Sequence, residues 1–469
     1  MDINKNNPHA GLTAKVCELI NATRYETLGE ECIYRVKQAI SDGIAVALAG
    51  HDQAPVRIAT EHVAELGAKP VATIWGHGVK TSVVEAARVN GMATHVLDFE
   101  PMWSPPTHSV SPTVPVAFAL AEANGATGRN LILAIAKGLE IQGRLQYAGD
   151  QYVPEDLLFH PPGVAGALGA AVVASHLLKL DTLKMRHALG IAASRAGSLL
   201  ANIGSMTKCT HCGNAGAAGL DSALLAKRGF TGNIDVLEAH KGVIVTFFPG
   251  GFDSARMLAF GKPWRVVDPG LSIKMFPSQY ATHFAITAGL DMHAKLGNAR
   301  DIESVRITGP VMEYINRPAP KSGLDGKFSF QYTAAAAMLD GKVGIDTFTE
   351  KRRFKPDVEA LLKKITLTQD AAIPNDLHKM RVDIEARLTD GSVHRVSCDG
   401  PKGTWGKPKL THAEHRVKLE DCLNRSLATT AVSRVLEIVG RFERASTDDV
   451  REVLRLISGK KAPRKATRK

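Results

Sequence analysis

Cysteine is scarce in this chain. Its 469 residues hold only six, Cys17, Cys32, Cys209, Cys212, Cys398 and Cys422, and these are scattered. With no secretory apolar leader, that pattern argues against a disulfide-stapled scaffold and predicts a cytoplasmic protein in a reducing compartment. Cys209 and Cys212 form a C-x-x-C, but no second pair completes a zinc site and the thioredoxin-like βαβ context is missing. Gly213 stands where a haem-attachment motif needs histidine, so thiols packed beside a turn are the plainer reading. Long apolar runs are also lacking. The best, Val164 to Ala174, is short, interrupted by glycine and followed by His176 and Lys179, which argues against a membrane span. No internal repeat is evident. The last ten residues hold no acid.

What is present is ordinary globular material, 44% hydrophobic and 22% charged, in a chain long enough for two or three domains. The net charge of +11 suggests nucleic acid until it is located. Lys460, Lys461, Arg464, Lys465, Arg468 and Lys469 carry six of those charges. Residues 459–469 therefore read as a disordered basic tail. The mildly basic remainder suits a small anionic substrate, and no nucleic-acid motif accompanies it.

Apolar residues at three- and four-residue spacing predict helices over Gly11–Ala22, Glu31–Leu48, Ile58–Leu66, Ser82–Asn90 and Thr127–Tyr147. Ser111 and Pro112 predict an N-cap and first turn for a helix reaching Gly125. Another small-residue helix follows Phe159-His160-Pro161-Pro162-Gly163, and Asp181 caps one expected to reach about Ile203. Val243 to Phe248 is an apolar run readable as a strand or a buried helical turn. From Asp301 the pattern changes to period two. Strands are expected at 302–308 and 365–368, and a hairpin at 381–397 turns on Asp390-Gly391, with an Ala-rich helix over 328–339. These set off an α/β unit at 271–405. Helices then resume at 412–440 and 447–458, so the C-terminal part is expected to rejoin the first domain.

The chemistry gathers at helix starts. In Thr207 to Gly219, TKCTHCGNAGAAG, Lys208 and His211 are read as a turn feeding a small-residue helix that runs to about Arg228. His108 precedes the helix after Ser111, and His160 precedes the helix after Pro161. Lys274, Tyr280 and His283 surround a helix start for which Ser278 is the expected N-cap. Unpaired N–H groups and partial positive charge at such starts favour carboxylate or phosphate. If the four converge, they make a cationic pocket for a molecule with two or three carboxylates.

These blocks are specific. HVLDFEPMW…TH, GRNLILAIAKGLEIQGRL, FHPPGVAGALGAA, TKCTHCGNAGAAG…LLAKRGFTG, KMFPSQYATH, YINRP and FSFQYTAAAAMLDG together resemble the MmgE/PrpD family of 2-methylcitrate dehydratases, cis-aconitate decarboxylases and related epimerases. The resemblance covers about residues 10–455. It implies a mainly α protein with an α/β part: a large all-helical domain built from both chain ends, 1–270 and 406–458, and a smaller inserted α/β lid, 271–405. It implies a homodimer, a site between domain and lid, and no metal or organic cofactor. Carried over by motif, Asp98, His108, His160, Lys208 and His283 are the catalytic candidates. His211, Lys274, Tyr280, Tyr314, Arg317 and Tyr332 are candidates for substrate binding. One block departs from the family: where D-F-D-D-T is usual this chain reads D-F-E-P-M, so Glu100 keeps an acid and Met102 replaces a hydroxyl.

The expected function is a cofactor-independent dehydratase or decarboxylase of a small di- or tricarboxylate, of the kind found in propionate metabolism. Histidine moves the proton, with His108 as principal acid/base and Asp98 orienting an imidazole, and Lys208 holds a carboxylate. The alternatives are an epimerase of a dicarboxylate such as iminodisuccinate and a basic nucleic-acid-binding protein. A C-x-x-C redox or zinc protein is a further one.

Overall fold

The computed structural model describes residues 7–152, 157–297, 301–404 and 410–459. The expected basic tail lies outside these residues apart from Gly459, and so does most of the stretch before the C-terminal helices. The fold is mainly α with an α/β part. By compactness the chain divides into one unit of residues 1–96, 100–272 and 412–469, and a second of 97–99 and 273–411.

The first unit is helical: α1 (Leu12–Ala22), α2 (Glu30–Gly50), α3 (Ala54–Leu66), α4 (Val83–His95), α5 (Val114–Asn124), α6 (Gly128–Ala148), α7 (Pro161–Leu177), α8 (Thr182–Ala193) and α9 (Thr207–Lys227). A small antiparallel hairpin, β1 (Ala72–Ile74) and β2 (Val79–Thr81), precedes α4. Local caps start several helices: Asp181 accepts from the Lys184 N–H as expected, and Thr127, expected inside its helix, accepts from the Asn130 N–H as its N-cap. α7 is apolar on every face and is buried from Pro161 to Ser175, as a helix without a polar stripe must be. α7 and α9 pack closely, as do α4 and α9. Small residues make this possible: a Cβ on Gly219 would stand 2.3 Å from the Ala167 carbonyl oxygen of α7, and one on Gly213 2.4 Å from the Arg88 carbonyl oxygen of α4.

Three of the boundaries that differ from the sequence reading bear on the site. The helix after His108 begins at Val114, because the Ser111 hydroxyl is engaged with the buried Glu100 carboxylate instead of capping. α8 stops at Ala193, and the chain turns through Ser198 at φ 88° so that Leu199 bridges Phe159. Most important, α9 begins at Thr207, so Lys208 and His211 lie on the helix itself. Gly213 looks like a helix breaker in sequence, but here it is the contact point with α4. The apolar run at Val243 is a short helix, Val243–Phe247.

The second unit carries a four-stranded sheet in the order β4-β3-β5-β6. β3 (Ile302–Gly309) pairs parallel to β4 (Ile365–Gln369) and antiparallel to β5 (Val382–Leu388). β5 and β6 (Val393–Cys398) form the expected hairpin, its turn using Gly391 at φ 86°. Helices Thr282–Leu296 and Phe330–Asp340 pack together, and the first lies against β5 and β6. Ser278 is no N-cap. Its hydroxyl accepts from the Thr282 hydroxyl, and the helix starts after Ala281.

The chain then returns to the first unit with helices His412–Asn424, Thr429–Gly440 and Thr447–Ile457. The first of these is tied to α2 by buried charge: Lys418 Nζ lies 2.8 Å and His415 Nε2 2.9 Å from Asp42 Oδ2. Among the described residues no helix is long and apolar enough to cross a membrane.

Candidate active site

In the helical unit the termini of three helices and one loop bring histidines together. His95 is the last residue of α4, His108 lies in the loop after it, His160 is the N-cap of α7 and His211 sits in the second turn of α9. Extended pairing of residues 159–160 with 198–199 fixes His160, whose N–H donates to the Ser198 carbonyl at 2.8 Å. Ring centroids separate His95 from His108 by 4.6 Å, His95 from His160 by 5.5 Å and His160 from His211 by 5.3 Å. The Nδ1 atoms of His160 and His211 are 3.2 Å apart.

Glu100, fully buried, joins this group. Its Oε1 lies 2.5 Å from His95 Nδ1 and 3.1 Å from His108 Nδ1, and accepts from the Ser111 hydroxyl at 2.8 Å. Burial alone would raise its pKa, but the His95 and His108 imidazoles outweigh that and hold it well below the usual carboxylate range. With Nδ1 of both rings turned to a carboxylate, each imidazole presents Nε2 as its other functional atom.

The histidines carry less charge than the sequence reading supposed. Burial pushes His95 down to about 4 against the pull of Glu100. His160 lies well below the ordinary histidine range through burial and the neighbouring His95 and Lys208, and His211 is lowered by burial and by Lys208. These three rings are neutral at pH 7. Lys208, half-buried in the first turn of α9, stands close enough to lower the pKa values of His95, His160 and His211. The C-x-x-C contributes no reactive thiol: both cysteines are buried, and burial pushes Cys209 up to about 12.

The second unit has its own polar set. Asp98, at φ 53° and buried, receives Lys274 Nζ at 2.5 Å; Lys274 is 1% exposed. Lys327 Nζ donates to the Leu97 carbonyl at 2.9 Å. His283 stacks on Tyr280 at 4.9 Å and meets Phe276 edge-on, while the Tyr280 hydroxyl donates to Thr404 Oγ1 at 2.8 Å. Tyr314 accepts from Gln279 at 2.8 Å. Arg317 is paired with Asp325, and the fully buried Tyr332 gives its hydroxyl to the Thr347 carbonyl. Those two side chains are thus engaged in holding the α/β unit.

The predicted set falls into two groups: His108, His160, Lys208 and His211 in the helical unit, and Asp98, Lys274, Tyr280 and His283 in the other. His95 was not anticipated, although it opens the quoted HVLDFEPMW block five residues before Glu100. Glu100, to which the sequence reading gave no catalytic task, is a carboxylate beside His108, its Oε1 3.1 Å from His108 Nδ1.

Residues 14–255 match the MmgE/PrpD N-terminal domain and residues 276–444 the MmgE/PrpD C-terminal domain. The chain belongs to the MmgE/PrpD family. It is 30% identical to the cis-aconitate decarboxylase of Mus musculus over 460 residues, covering 96% of this chain and 93% of that protein. To the cis-aconitate decarboxylase of Homo sapiens it is 30% identical over 470 residues, 97% and 96% of the two chains. The 2-methylcitrate dehydratase of Cupriavidus necator is more distant, 24% identical over 341 residues, 66% of this chain and 68% of that one.

Proposed function

We propose that this MmgE/PrpD protein is a lyase acting on a small tricarboxylate, with decarboxylation of cis-aconitate the first candidate and dehydration of 2-methylcitrate the second. Nearly full-length similarity to cis-aconitate decarboxylases, against partial similarity to a methylcitrate dehydratase, favours that order. The observation that carries the reading is the pair of imidazoles, His95 and His108, on one buried carboxylate, with His160 and Lys208 beside them.

Loss of carbon dioxide leaves an electron pair on carbon, delocalised through the adjacent double bond toward a remaining carboxylate, and a carbon of that delocalised system must then receive a proton. Loss of water instead requires a proton to leave carbon and another to reach the departing hydroxyl. In both cases His108, its Nδ1 side held by Glu100, exchanges the proton through Nε2, a role worth about 10²–10⁴-fold. His160 is neutral and serves as a hydrogen-bond partner. Lys208 pairs with a substrate carboxylate and steadies the developing charge. Asp98, Lys274, Tyr280, His283 and Tyr314 are assigned to binding the same substrate. The resemblance supports that assignment, and Asp98 stands only two residues from Glu100 along the chain. The enzyme is proposed to act as a homodimer without a cofactor.

Incubation of the purified protein with cis-aconitate, 2-methylcitrate, citrate and iminodisuccinate in heavy water, followed by NMR, tests this. Carbon dioxide release or water loss from a tricarboxylate is the expected result. Solvent deuterium entering iminodisuccinate with neither loss would replace the lyase reading by the epimerase.

A further inference from the structure

We infer that the buried histidines of the helical unit also form a binding site for one divalent transition-metal ion of imidazole preference, such as Zn²⁺, occupied in place of substrate. One ligating atom from each of His95, His108 and His160 lies within 4.8 Å of the others, and all three side chains are buried. Bonds of about 2.0–2.1 Å set tetrahedral donors roughly 3.4 Å apart, so binding draws the three rings together.

The second shell points the same way independently. A metal-bound histidine usually donates its other ring N–H to a carboxylate or carbonyl, which fixes the tautomer and raises ligand basicity. Glu100 stands in that position for His95, and its Oε1 also lies 3.1 Å from His108 Nδ1. With the Nδ1 proton of His95 directed at Glu100, the lone pair is on Nε2. That atom is shut from solvent and meets no hydrogen-bond partner among the described residues, which is costly for a buried polar group. A metal ion satisfies it, and the Glu100 charge offsets part of the ion's own. Lys208 acts against a cation here, so the site is weaker than a dedicated structural one.

The inference concerns side chains that the proposed function also uses, but its test does not read activity. The untagged 469-residue protein, freed of metal by chelation and dialysis, is titrated with Co²⁺ and followed by visible absorption. The expected result is one equivalent per chain with the intense band of a low-coordinate nitrogen site, displaced by Zn²⁺. His95→Gln and His160→Asn, each checked by circular dichroism, should each weaken binding by about 10–100-fold. Cys212→Ser discriminates, because His95, Glu100 and Cys212 form an overlapping donor set: retained binding supports the three-histidine site. No band, a band unchanged in both folded histidine variants, or a band lost in Cys212→Ser would each overturn it.

Discussion

Replacing Glu100 by glutamine is the most direct probe of the proposed chemistry. The native Oε1 takes contacts from His95 Nδ1, His108 Nδ1 and the Ser111 hydroxyl in a site with no solvent exposure. Hydrogen bonds to a charged group contribute about 1.5–3 kcal/mol and neutral ones about 0.5–1.5. Gln keeps an acceptor for all three donors but loses the charge, while also removing the cost of burying a carboxylate. A net destabilisation of roughly 1–2 kcal/mol follows. Glu100→Ala leaves the His95 and Ser111 donors unsatisfied at about 1–3 kcal/mol each, so it should cost at least about 2 kcal/mol. The kinetic effect of the Gln variant should exceed its effect on stability. With His108 no longer held by a charged partner, kcat on the tricarboxylate should fall by about 10²–10⁴-fold. The assay is product formation by NMR at saturating substrate alongside thermal unfolding. A Gln variant that turns over within about threefold of the parent would refute the role given to Glu100. As a control, Ser111→Ala should stay within a few-fold in kcat.

The remaining expectations follow from named contacts. Lys208→Ala should raise KM and lower kcat together, each by tenfold or more, with unfolding unchanged to within about 0.5 kcal/mol because the side chain is half-buried. Gly213→Ala should destabilise the protein by about 1–3 kcal/mol in chemical denaturation, since its Cβ would stand 2.4 Å from the Arg88 carbonyl oxygen. His176, depressed to about 3 by burial and by Lys137, whose Nζ is 3.3 Å away, gives a pH signature. As pH falls below the ordinary value of about 6.5, the unfolded chain takes this proton before the folded one, so stability present above that pH is lost progressively down to about 3. At about 1.36 kcal/mol per unit the loss reaches roughly 2 kcal/mol by pH 5, measurable as a falling denaturation midpoint. Lys137, lowered to about 8 by burial and then Arg24, works at the other end: stability should rise as pH climbs from about 8 toward 10.5. Lys137→Met should abolish that alkaline rise and make the acid loss shallower.

The sequence by itself determined the helical and strand periods, because side-chain spacing at 3.6 or 2 residues is a local property. Asp181 as a cap, the Asp390-Gly391 turn and the change of pattern after Asp301 were all legible. So were the family and most of the chemistry-bearing residues, since the seven quoted blocks keep their own residue types. Tertiary packing decided what local rules misread. Gly213 breaks an isolated helix, yet in the fold it is where α9 meets α4, and that contact carries the helix back to Thr207 and puts Lys208 and His211 on its first turns. Ser111 is a good cap in isolation, but a buried carboxylate is the stronger claim on its hydroxyl. The pairing of His95 with Glu100 and the neutrality of His95, His160 and His211 could not be read from order along the chain. Both arise from burial and from charges brought together by folding, where desolvation and the nearby Lys208 together govern protonation.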